Sequence, residues 1–584
     1  MTMPAIRWIA TLCALALLSV AAVAPAQEPG RTEGLWTGSM AITPSQTLQI
    51  VVEIARDANG TLTGTLDSPD QNSFGIPLTA IEASDTALAF ALPAAEASYA
   101  ATWVPEAEAW QGTFTQAGQS WPLTLQRLDA SQRPRRSALP ANWQVPASDA
   151  LAPLLAQRVA ERPGAGFVLG ISENGARRIV TAQPQGGPIF DGNTVFEIGS
   201  ITKVFTALLL ADMALKGEVS LDDPVETYLP AGVRMPRGAS GSEITLRHLS
   251  LQTSGLPRLP DNMPFGDPAD PYADYTEAML LDFLAGYSLP REVGARYEYS
   301  NLGVGLLGYV LARAAGTDYA SLVTERILDP LGMEDTAIVL RPDMQGRFAE
   351  PHDEYLRVAK PWNMSVLVGA GGLRSTADDL LTFAEAAMDP ASPIAEAMAL
   401  TLSERTDQAG TDNQTALGWM ILPAPGGEVL NHSGGTGGFR SHLAVQPETA
   451  RAVVGLTNSA AEPSAADLAF HALLGTPRAA EANVPPAPQP VPDRQEITLP
   501  PEALAPLVGT YRMANNARLA ITREGSQLFA QLTSQPAFPI FAEGPREFFL
   551  KVVNARLVFA GDGDRITGLT LYQNGAEVPF DRID

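Results

Sequence analysis

The hydrophobic pattern changes twice along the chain. Residues 34–128 and 495–584 contain short alternating runs separated by turns, which is typical of antiparallel strands, whereas residues 148–476 mix helical and strand patterns. A chain of 584 residues cannot fold around one hydrophobic core. The sequence therefore predicts a multidomain protein in which a central α/β domain lies between two small all-β domains.

These pattern changes, together with two stretches rich in Pro and Ala, define the expected boundaries. We predict a signal peptide at 1–26, an N-terminal β-domain at 27–130, a linker at 131–147, the central domain at 148–476, a Pro/Ala-rich linker at 477–494 and a C-terminal β-domain at 495–584. Hairpin turns are expected at 57–60 and 573–575, where Asn-Gly pairs separate strand-like runs.

Two helices and two strands are predicted within the central domain. Residues 204–215 and 302–315 repeat apolar side chains at helical spacing. Residues 167–172 and 453–457 form short, mostly apolar runs with β-branched members. Such mixed elements indicate a sheet that is covered by helices.

The first residues have the pattern of an export signal. Arg7 precedes an apolar run at 9–23, and small residues at 24–26 form a cleavage site before Gln27. The run is shorter than a membrane-spanning helix requires, although a membrane anchor and a lipid anchor at Cys13 are the alternatives. We therefore expect an exported, periplasmic or secreted protein that is soluble after cleavage.

Composition excludes several classes of function. The net charge of −25 disfavours binding to nucleic acid and to anionic membrane surfaces. The only cysteine lies in the predicted signal peptide, and the five histidines form no H-x-x-x-H pair, so we expect no disulfide, no metal and no other cofactor. There is no G-x-S-x-G, P-loop or dinucleotide-binding motif, and no later stretch is long enough to span a membrane.

The segment Gly199-Ser200-Ile201-Thr202-Lys203 places a hydroxyl and an amine on one turn of a predicted helix. Residues three apart share a helix face, so the Lys203 amine is expected near the Ser200 oxygen. A serine becomes a nucleophile when a neighbouring base takes its proton. A serine that begins a helix is commonly only a cap, but this chain has 35 Arg and only four Lys. Lysine here therefore indicates chemistry that arginine cannot perform.

Two further elements contain polar groups beside glycine or a helix start. In Tyr299-Ser300-Asn301, a phenol and an amide lie on one side of a short loop before the second helix. Residues 431–440 contain His432-Ser433-Gly434-Gly435, where glycine allows a backbone to approach a ligand closely. Taken singly, the first of these elements is more typical of a buried tyrosine with a capping asparagine, and the second is also typical of a glycine-rich hairpin.

Together and in this order, the three elements resemble the serine β-lactamase and penicillin-binding-protein superfamily. This superfamily includes class C β-lactamases, D-alanyl-D-alanine peptidases, D-aminopeptidases and carboxylesterases. Further stretches of the central domain resemble it at 221–225, 228–230, 245–249, 253–257, 371–380 and 417–419. The resemblance implies an antiparallel sheet flanked by helices with a helical subdomain, and it extends to the small lipocalin-like β-domains that accompany such hydrolases.

The resemblance also implies roles for individual residues. Ser200 would become acylated, and Lys203 and Tyr299 would transfer protons. Asn301 would hold the substrate together with the third element, and the oxyanion would lie between the backbone N–H groups of Ser200 and Gly435. The residues expected to bind substrate are Asn301, His432, Ser433 and Gly434.

One residue departs from the β-lactamase pattern. His432 stands where class C β-lactamases have lysine, and the histidine form is more similar to the peptidase and esterase branches. We therefore predict a serine hydrolase that acts through an acyl-enzyme on esters, amides or short peptides, including D-amino-acid peptides. The alternatives are a β-lactamase and a non-catalytic penicillin-binding sensor or peptidoglycan-binding scaffold. No pattern identifies the substrate or the oligomeric state.

Overall fold

The structure is a computed structural model that describes residues 31–583, except for short gaps. The gaps are 44–45, 58–59, 72, 93–96, 117–118, 135–138, 161, 265, 268, 409–410, 479–493, 514–517, 533–536, 552–553, 564 and 574–575. The predicted signal peptide with Cys13, the centres of both predicted hairpin turns and most of the predicted linker at 477–494 lie outside the described residues.

The N-terminal part is a single antiparallel sheet. Its nine strands are β1 (Gly34–Thr43), β2 (Gln46–Arg56), β3 (Leu62–Ser68), β4 (Ser73–Pro77), β5 (Thr79–Ala83), β6 (Ala87–Leu92), β7 (Ala97–Val104), β8 (Ala109–Gln116) and β9 (Gln119–Arg127). They pair in the order β4-β3-β2-β1-β9-β8-β7-β6-β5. Trp36, Tyr99 and Trp110 are buried in its core. The lipocalin-like character of this part remains a prediction.

The central part contains an eight-stranded antiparallel sheet and a separate strand pair. The strands are β10 (Phe167–Glu173), β11 (Ala176–Ala182), β12 (Phe196–Glu197), β13 (Arg374–Ser375), β14 (Arg405–Asp407), β15 (Gln414–Ala416), β16 (Met420–Ala424), β17 (Gly427–Gly435), β18 (Arg440–Gln446) and β19 (Arg451–Thr457). The large sheet has the order β11-β10-β19-β18-β17-β16-β15-β14, and β12 pairs with β13. Both predicted strands are present, as β10 and β19.

Among the described residues, eleven α-helices accompany this sheet. They are α1 (Ser148–Ala160), α2 (Thr202–Leu215), α3 (Leu246–Ser250), α4 (Glu277–Gly286), α5 (Asn301–Ala315), α6 (Tyr319–Val323), α7 (Asp329–Leu331), α8 (Pro342–Gln345), α9 (Ala377–Met388), α10 (Ala395–Ser403) and α11 (Ala465–Leu474). The predicted helix at 204–215 begins two residues earlier, at Thr202, and the one at 302–315 begins one residue earlier, at Asn301.

Both faces of the central sheet are covered. Phe167 and Leu169 of β10 pack with α1 and α11, whereas Val168 and Gly170 face the side of α9. Alternate residues of a strand point to opposite faces, so a strand that is buried on both sides has the continuous apolar run seen in the sequence. On the α9 side, α2 packs against α5, α6 and α10 and forms the centre of a mostly helical region.

The C-terminal part is a closed barrel of eight strands preceded by the short helix α12 (Pro501–Leu504). The strands are β20 (Gly509–Arg512), β21 (Arg518–Glu524), β22 (Gln527–Leu532), β23 (Phe538–Ala542), β24 (Glu547–Phe549), β25 (Ala555–Asp562), β26 (Arg565–Gln573) and β27 (Ala576–Arg582). The barrel confirms that this part is all-β, and its lipocalin-like character remains a prediction.

Candidate active site

The predicted nucleophile Ser200 lies in a single 3₁₀ turn, Gly199–Ile201, that leads directly into α2. Gly199 has a φ of +51°, and a Cβ atom added there would lie 2.7 Å from the backbone nitrogen of Gly435. Glycine alone tolerates both this φ and this close approach. The turn therefore brings the Ser200 backbone to the end of β17, beside the positive end of the α2 dipole.

Lys203 lies one helical turn after Ser200 and is completely buried. Its Nζ donates hydrogen bonds to Asn301 Oδ1 at 2.9 Å and to the Ala370 carbonyl oxygen at 2.7 Å, and it lies within hydrogen-bond distance of Ser200 Oγ, at 3.0 Å. Burial holds the pKa of the Lys203 amine well below its usual range, and the nearby Arg258 lowers this pKa further. A lysine with a depressed pKa can act as a base.

Asn301 is positioned by the start of α5. The Ser300 hydroxyl caps this helix by accepting a hydrogen bond from the Gly303 N–H at 2.8 Å. The Asn301 backbone N–H donates to the Arg258 carbonyl oxygen at 3.0 Å, and its side-chain Nδ2 donates to the Tyr272 hydroxyl at 3.0 Å. These contacts fix the amide so that its oxygen faces the buried lysine.

Tyr299 lies beside two basic side chains. Its ring centre is 4.9 Å from Lys203 Nζ and 5.1 Å from Arg258 Cζ. Burial raises the pKa of the Tyr299 phenol, whereas the Ser200 hydroxyl and the Arg258 guanidinium lower it. Because burial raises this pKa by more than the other two groups lower it, the phenol keeps its proton at neutral pH and can donate it.

His432 of β17 is buried and contributes no positive charge. Its Nδ1 lies 2.7 Å from the Ser433 carbonyl oxygen, so this nitrogen carries a proton. Burial lowers the pKa of His432 to about 3, with the nearby Lys203 as a further cause. The side chain is therefore a neutral imidazole over the whole physiological pH range.

The next two residues of β17 have opposite surroundings. Ser433 is exposed, and its Oγ lies 2.9 Å from Nδ1 of His442, which is its partner on β18. Gly434 is buried, and a Cβ atom added there would lie 1.9 Å from the Ile198 carbonyl oxygen. The strand therefore exposes a hydroxyl at Ser433 while Gly434 packs against the residue that precedes the nucleophile turn.

All of these residues surround one cavity of about 660 Å³, with Lys203 beneath its floor. The predicted site residues that line it are Ser200, Tyr299, Asn301, His432, Ser433, Gly434 and Gly435. The structure thus brings three segments, which are spread over more than 200 residues of sequence, to one place. Such a cluster of perturbed titratable groups in a cleft is typical of a catalytic site.

The cavity also contains residues that sequence reasoning missed. The most informative of these are Arg258, Tyr272, Trp362, Arg440 and Glu462. Arg258 directly follows the 253–257 stretch, and this adjacency could have identified it. Arg440 ends the third element at 431–440, which could also have identified it, whereas Tyr272, Trp362 and Glu462 lie in segments without a periodic pattern.

The described part of the chain lacks two kinds of feature. Within it, no group of three or more His, Cys, Asp or Glu side chains is arranged to hold a metal ion. Among the same residues, no helix is both long and apolar enough to cross a lipid bilayer.

Comparison with known families gives two matches. Residues 151–476 match the β-lactamase family, and residues 493–582 match a domain of unknown function (DUF3471). The first match covers more than half of the chain and contains every predicted site residue.

Several characterised proteins are similar to this chain. D-alanyl-D-alanine-carboxypeptidase/endopeptidase AmpH of Escherichia coli (strain K12) is 31% identical over 272 residues, which cover 44% of this chain and 69% of that protein. Penicillin-binding protein 4* of Bacillus subtilis (strain 168) is 25% identical over 411 residues, covering 66% and 87%. A β-lactamase of Pseudomonas fluorescens is 28% identical over 320 residues, covering 48% and 84%.

Among solved structures, β-lactamase/D-alanine carboxypeptidase from Yersinia pestis in complex with citrate is 25% identical, with a TM-score of 0.49. The match covers 56% of this chain and 97% of that one. The resemblance inferred from the three sequence elements is confirmed by the family match and by the identity to AmpH. The chain belongs to the β-lactamase family of serine acyl-enzyme hydrolases and their penicillin-binding relatives.

Proposed function

We propose that this protein hydrolyses esters or small peptides, including D-amino-acid peptides, through an acyl-enzyme on Ser200. The observation that carries the proposal is the Lys203 amine, which is fully buried, has a depressed pKa and lies 3.0 Å from the Ser200 hydroxyl. A structural lysine would instead be exposed or paired with a carboxylate. Its three hydrogen-bond partners here are all uncharged.

The hydrogen bonds of Lys203 support its role as the base that activates Ser200. A neutral amine has two N–H donors and one lone pair. The Asn301 amide oxygen and the Ala370 carbonyl oxygen can only accept, so they take the two donors. The remaining partner, the Ser200 hydroxyl, can then donate to the lone pair. In the proposed acylation step, the proton moves from Ser200 Oγ to Lys203 Nζ while the oxygen attacks the substrate carbonyl carbon.

Tyr299 is proposed to complete the transfer of this proton to the leaving group. Its phenol is protonated at neutral pH and lies beside both Lys203 and Ser200. When the tetrahedral intermediate collapses, the phenol donates its proton to the departing oxygen or nitrogen and regains one from Lys203. Water repeats the sequence in reverse and releases the acid, so that Ser200 is regenerated.

The oxyanion is proposed to lie between the backbone N–H groups of Ser200 and Gly435. The close approach of Gly199 to Gly435 supports this assignment, because it brings the two backbone segments together at the mouth of the cavity. Fixed N–H donors aimed at a developing negative charge are a major source of rate enhancement in acyl transfer.

The third element supports an ester or peptide substrate in preference to a β-lactam. His432 is neutral, so β17 has no fixed cation for the carboxylate of a β-lactam at this position. Ser433, Gly434 and Asn301 are proposed to bind the substrate through uncharged polar groups. β-Lactam hydrolysis is the second candidate, because a β-lactamase of Pseudomonas fluorescens is among the similar proteins.

The remaining assignments also belong to this proposal. We propose that the protein is exported, with the signal peptide at 1–26 removed, and that the parts at 27–130 and 495–584 fold as separate β-domains around the catalytic domain at 148–476. These β-domains are proposed to shape the cleft or to mediate assembly.

Covalent labelling tests the proposed function directly. The wild-type protein should react with a fluorophosphonate probe, and mass spectrometry should locate the adduct on the peptide that contains Ser200. A panel of aryl esters, D-alanyl peptides and a cephalosporin should then give the highest kcat/KM for an ester or peptide. A higher value for the cephalosporin would favour the β-lactamase. Slow, stoichiometric acylation without turnover would favour a penicillin-binding sensor.

A further inference from the structure

Arg258 differs from every other arginine of the catalytic region. Among the residues that the structure describes between 151 and 476, each other arginine makes an ion pair or a hydrogen bond with its guanidinium. The Arg258 guanidinium has a single contact, with the face of the Tyr299 ring. An acidic protein offers many carboxylates, so an unpaired arginine beside the nucleophile needs an explanation.

The backbone of Arg258 is fixed although its side chain is exposed. Its carbonyl oxygen accepts hydrogen bonds from the N–H groups of Asn301 at 3.0 Å and Leu302 at 3.2 Å. The backbone of Arg258 is therefore held at the start of α5, the helix that also positions the Asn301 side chain. Its exposed guanidinium lines the same cavity as the polar end of β17.

Among the described residues that line the cavity, the other charged side chains, Arg440 and Glu462, pair with each other. His432 is neutral, and Lys203 is buried with a depressed pKa. Glu462, the only carboxylate among the described residues that line the cavity, lies 3.7 Å from Arg440. Arg258 is thus the free cation of the cleft among the residues that the structure describes. The charge of Arg258 also lowers the pKa of Lys203, in addition to the larger effect of burial.

We propose that Arg258 binds a carboxylate on the leaving-group side of the substrate, so that the enzyme prefers anionic leaving groups such as a peptide's C-terminal residue. We place Arg258 on the leaving-group side of the substrate because it contacts Tyr299, which is the proposed proton donor to the leaving group. A guanidinium presents paired N–H donors that match a carboxylate. This inference rests on the proposed hydrolase function and assigns the cationic role to Arg258 rather than to β17.

A matched pair of esters tests the proposal. Phenyl acetate and 3-carboxyphenyl acetate form the same acetyl-enzyme and differ only in the leaving-group carboxylate. The ratio of their kcat/KM values therefore reports on recognition of that carboxylate, while effects on the pKa of Lys203 or Tyr299 cancel. Wild type should favour the carboxylate ester, and Arg258→Gln should reduce the ratio about tenfold or more, as expected for one charge-assisted hydrogen bond. Arg258→Lys should give an intermediate ratio.

The matched control is Arg357→Gln, which removes the same charge from a neighbouring exposed arginine paired with Asp353. It should leave the ratio within about twofold of wild type, the range of a screened rim charge. An unchanged ratio in a folded Arg258→Gln protein would overturn the proposal. An equal loss in the Arg357 control would do the same, because it would indicate only a general field effect.

A binding experiment separates this proposal from the hydrolase function. In the Ser200→Ala background, 3-hydroxybenzoate should bind more tightly than phenol, and Arg258→Gln should remove the difference. This comparison requires no turnover. A failure of wild type to label at Ser200 would therefore contradict the proposed function, whereas equal affinities for the two phenols would contradict the role of Arg258 alone.

Discussion

Lys203 donates a hydrogen bond from Nζ to Oδ1 of Asn301 at 2.9 Å, across 98 positions of sequence. The acceptor is a neutral amide, although a carboxylate would have almost the same shape. A carboxylate at this distance would stabilise the protonated lysine and raise its pKa. The neutral partner therefore preserves the depressed pKa that burial produces, and the choice of Asn at this position is part of how the base is tuned.

The isosteric variant Asn301→Asp tests this tuning. The new carboxylate should raise the pKa of Lys203, so that the base stays protonated at neutral pH and activity falls about 10²-fold or more. Because a raised pKa moves deprotonation to higher pH, the acidic limb of the kcat/KM profile should shift upward and part of the activity should return under alkaline conditions. Asn301→Ser, which adds no charge, is the control and should lower the rate without moving the limb. An unshifted limb in Asn301→Asp would contradict the assignment of Lys203 as the base.

Ser200→Ala tests the nucleophile. Turnover and fluorophosphonate labelling should both be lost, because among the described residues Ser200 provides the only hydroxyl that hydrogen-bonds to the Lys203 amine. The fold should survive, since the variant removes one hydrogen bond, a contribution of about 1 kcal/mol. Circular dichroism and thermal unfolding check the fold, and peptide mapping of the labelled wild type checks the site. Labelling of the alanine variant at another serine would contradict the prediction.

Lys203→Arg separates a base from a positive charge. Arginine supplies a permanent positive charge but cannot accept the Ser200 proton, so kcat should fall by about 10²- to 10⁴-fold. The control is Lys216→Arg at the exposed end of α2, where the lysine forms an ion pair with Asp212 and the exchange should be silent. If the Lys203 variant kept most of its rate, the base would lie elsewhere, with Tyr299 as the next candidate.

The catalytic groups were predictable from the sequence because each is specified locally. Ser200 lies in the 3₁₀ turn that leads directly into α2, three residues before Lys203, and Tyr299 directly precedes the residue that caps the next helix. The glycines of the third element indicated a close backbone approach, and Gly434 makes one. Local spacing of this kind does not depend on how the remainder of the chain folds.

The groups that surround them were not predictable, because their positions depend on long-range packing. Tyr272 and Trp362 reach the cavity from segments without periodicity, and no local feature shows that they meet. The periodic apolar run at 204–215 also leaves out the first two residues of α2. Thr202 has a low helix propensity, but its hydroxyl donates to the Gly199 carbonyl oxygen at 2.7 Å and accepts from the Leu373 N–H at 3.1 Å. This distant partner helps the helix to begin earlier.

His442 should make stability depend on pH. Burial lowers its pKa to about 3, so the folded state resists the protonation that the unfolded chain undergoes near pH 6.5. Between these values the unfolded state binds more protons, and the stability contributed by His442 is complete above pH 6.5 and is lost as the pH falls. The loss should approach about 1.4 kcal/mol per pH unit. Denaturant unfolding of wild type and His442→Phe between pH 7 and 5 should show a smaller decrease in the variant.

A second substitution distinguishes this linkage from packing. His442→Gln should differ from His442→Phe in absolute stability, because the ring contacts with Phe470 differ, yet both should have the same reduced dependence on pH. A slope equal to that of wild type in either variant would mean that His442 does not titrate on unfolding as proposed.

The two adjacent glycines at the end of β17 should differ in how well they tolerate substitution by alanine. At Gly434 a Cβ atom would lie 1.9 Å from the Ile198 carbonyl oxygen and 2.3 Å from Ser441 Oγ, so β17 would have to move away from the nucleophile turn. Such overpacking costs about 1–3 kcal/mol. At Gly435 the nearest atom is Nη1 of the Arg440 side chain at 3.2 Å, which can move.

Gly434→Ala should therefore lower Tm by several degrees and slow Ser200 labelling by at least about tenfold, since small displacements of oxyanion donors cost this much or more. Gly435→Ala retains its backbone N–H and should keep a Tm close to that of wild type. Thermal unfolding and labelling with a small fluorophosphonate should be measured on both variants side by side, because a small probe avoids a steric block by the new methyl group. Equal losses of Tm and labelling rate in the two variants would mean that the contact between Gly434 and Ile198 does not hold the oxyanion site in position.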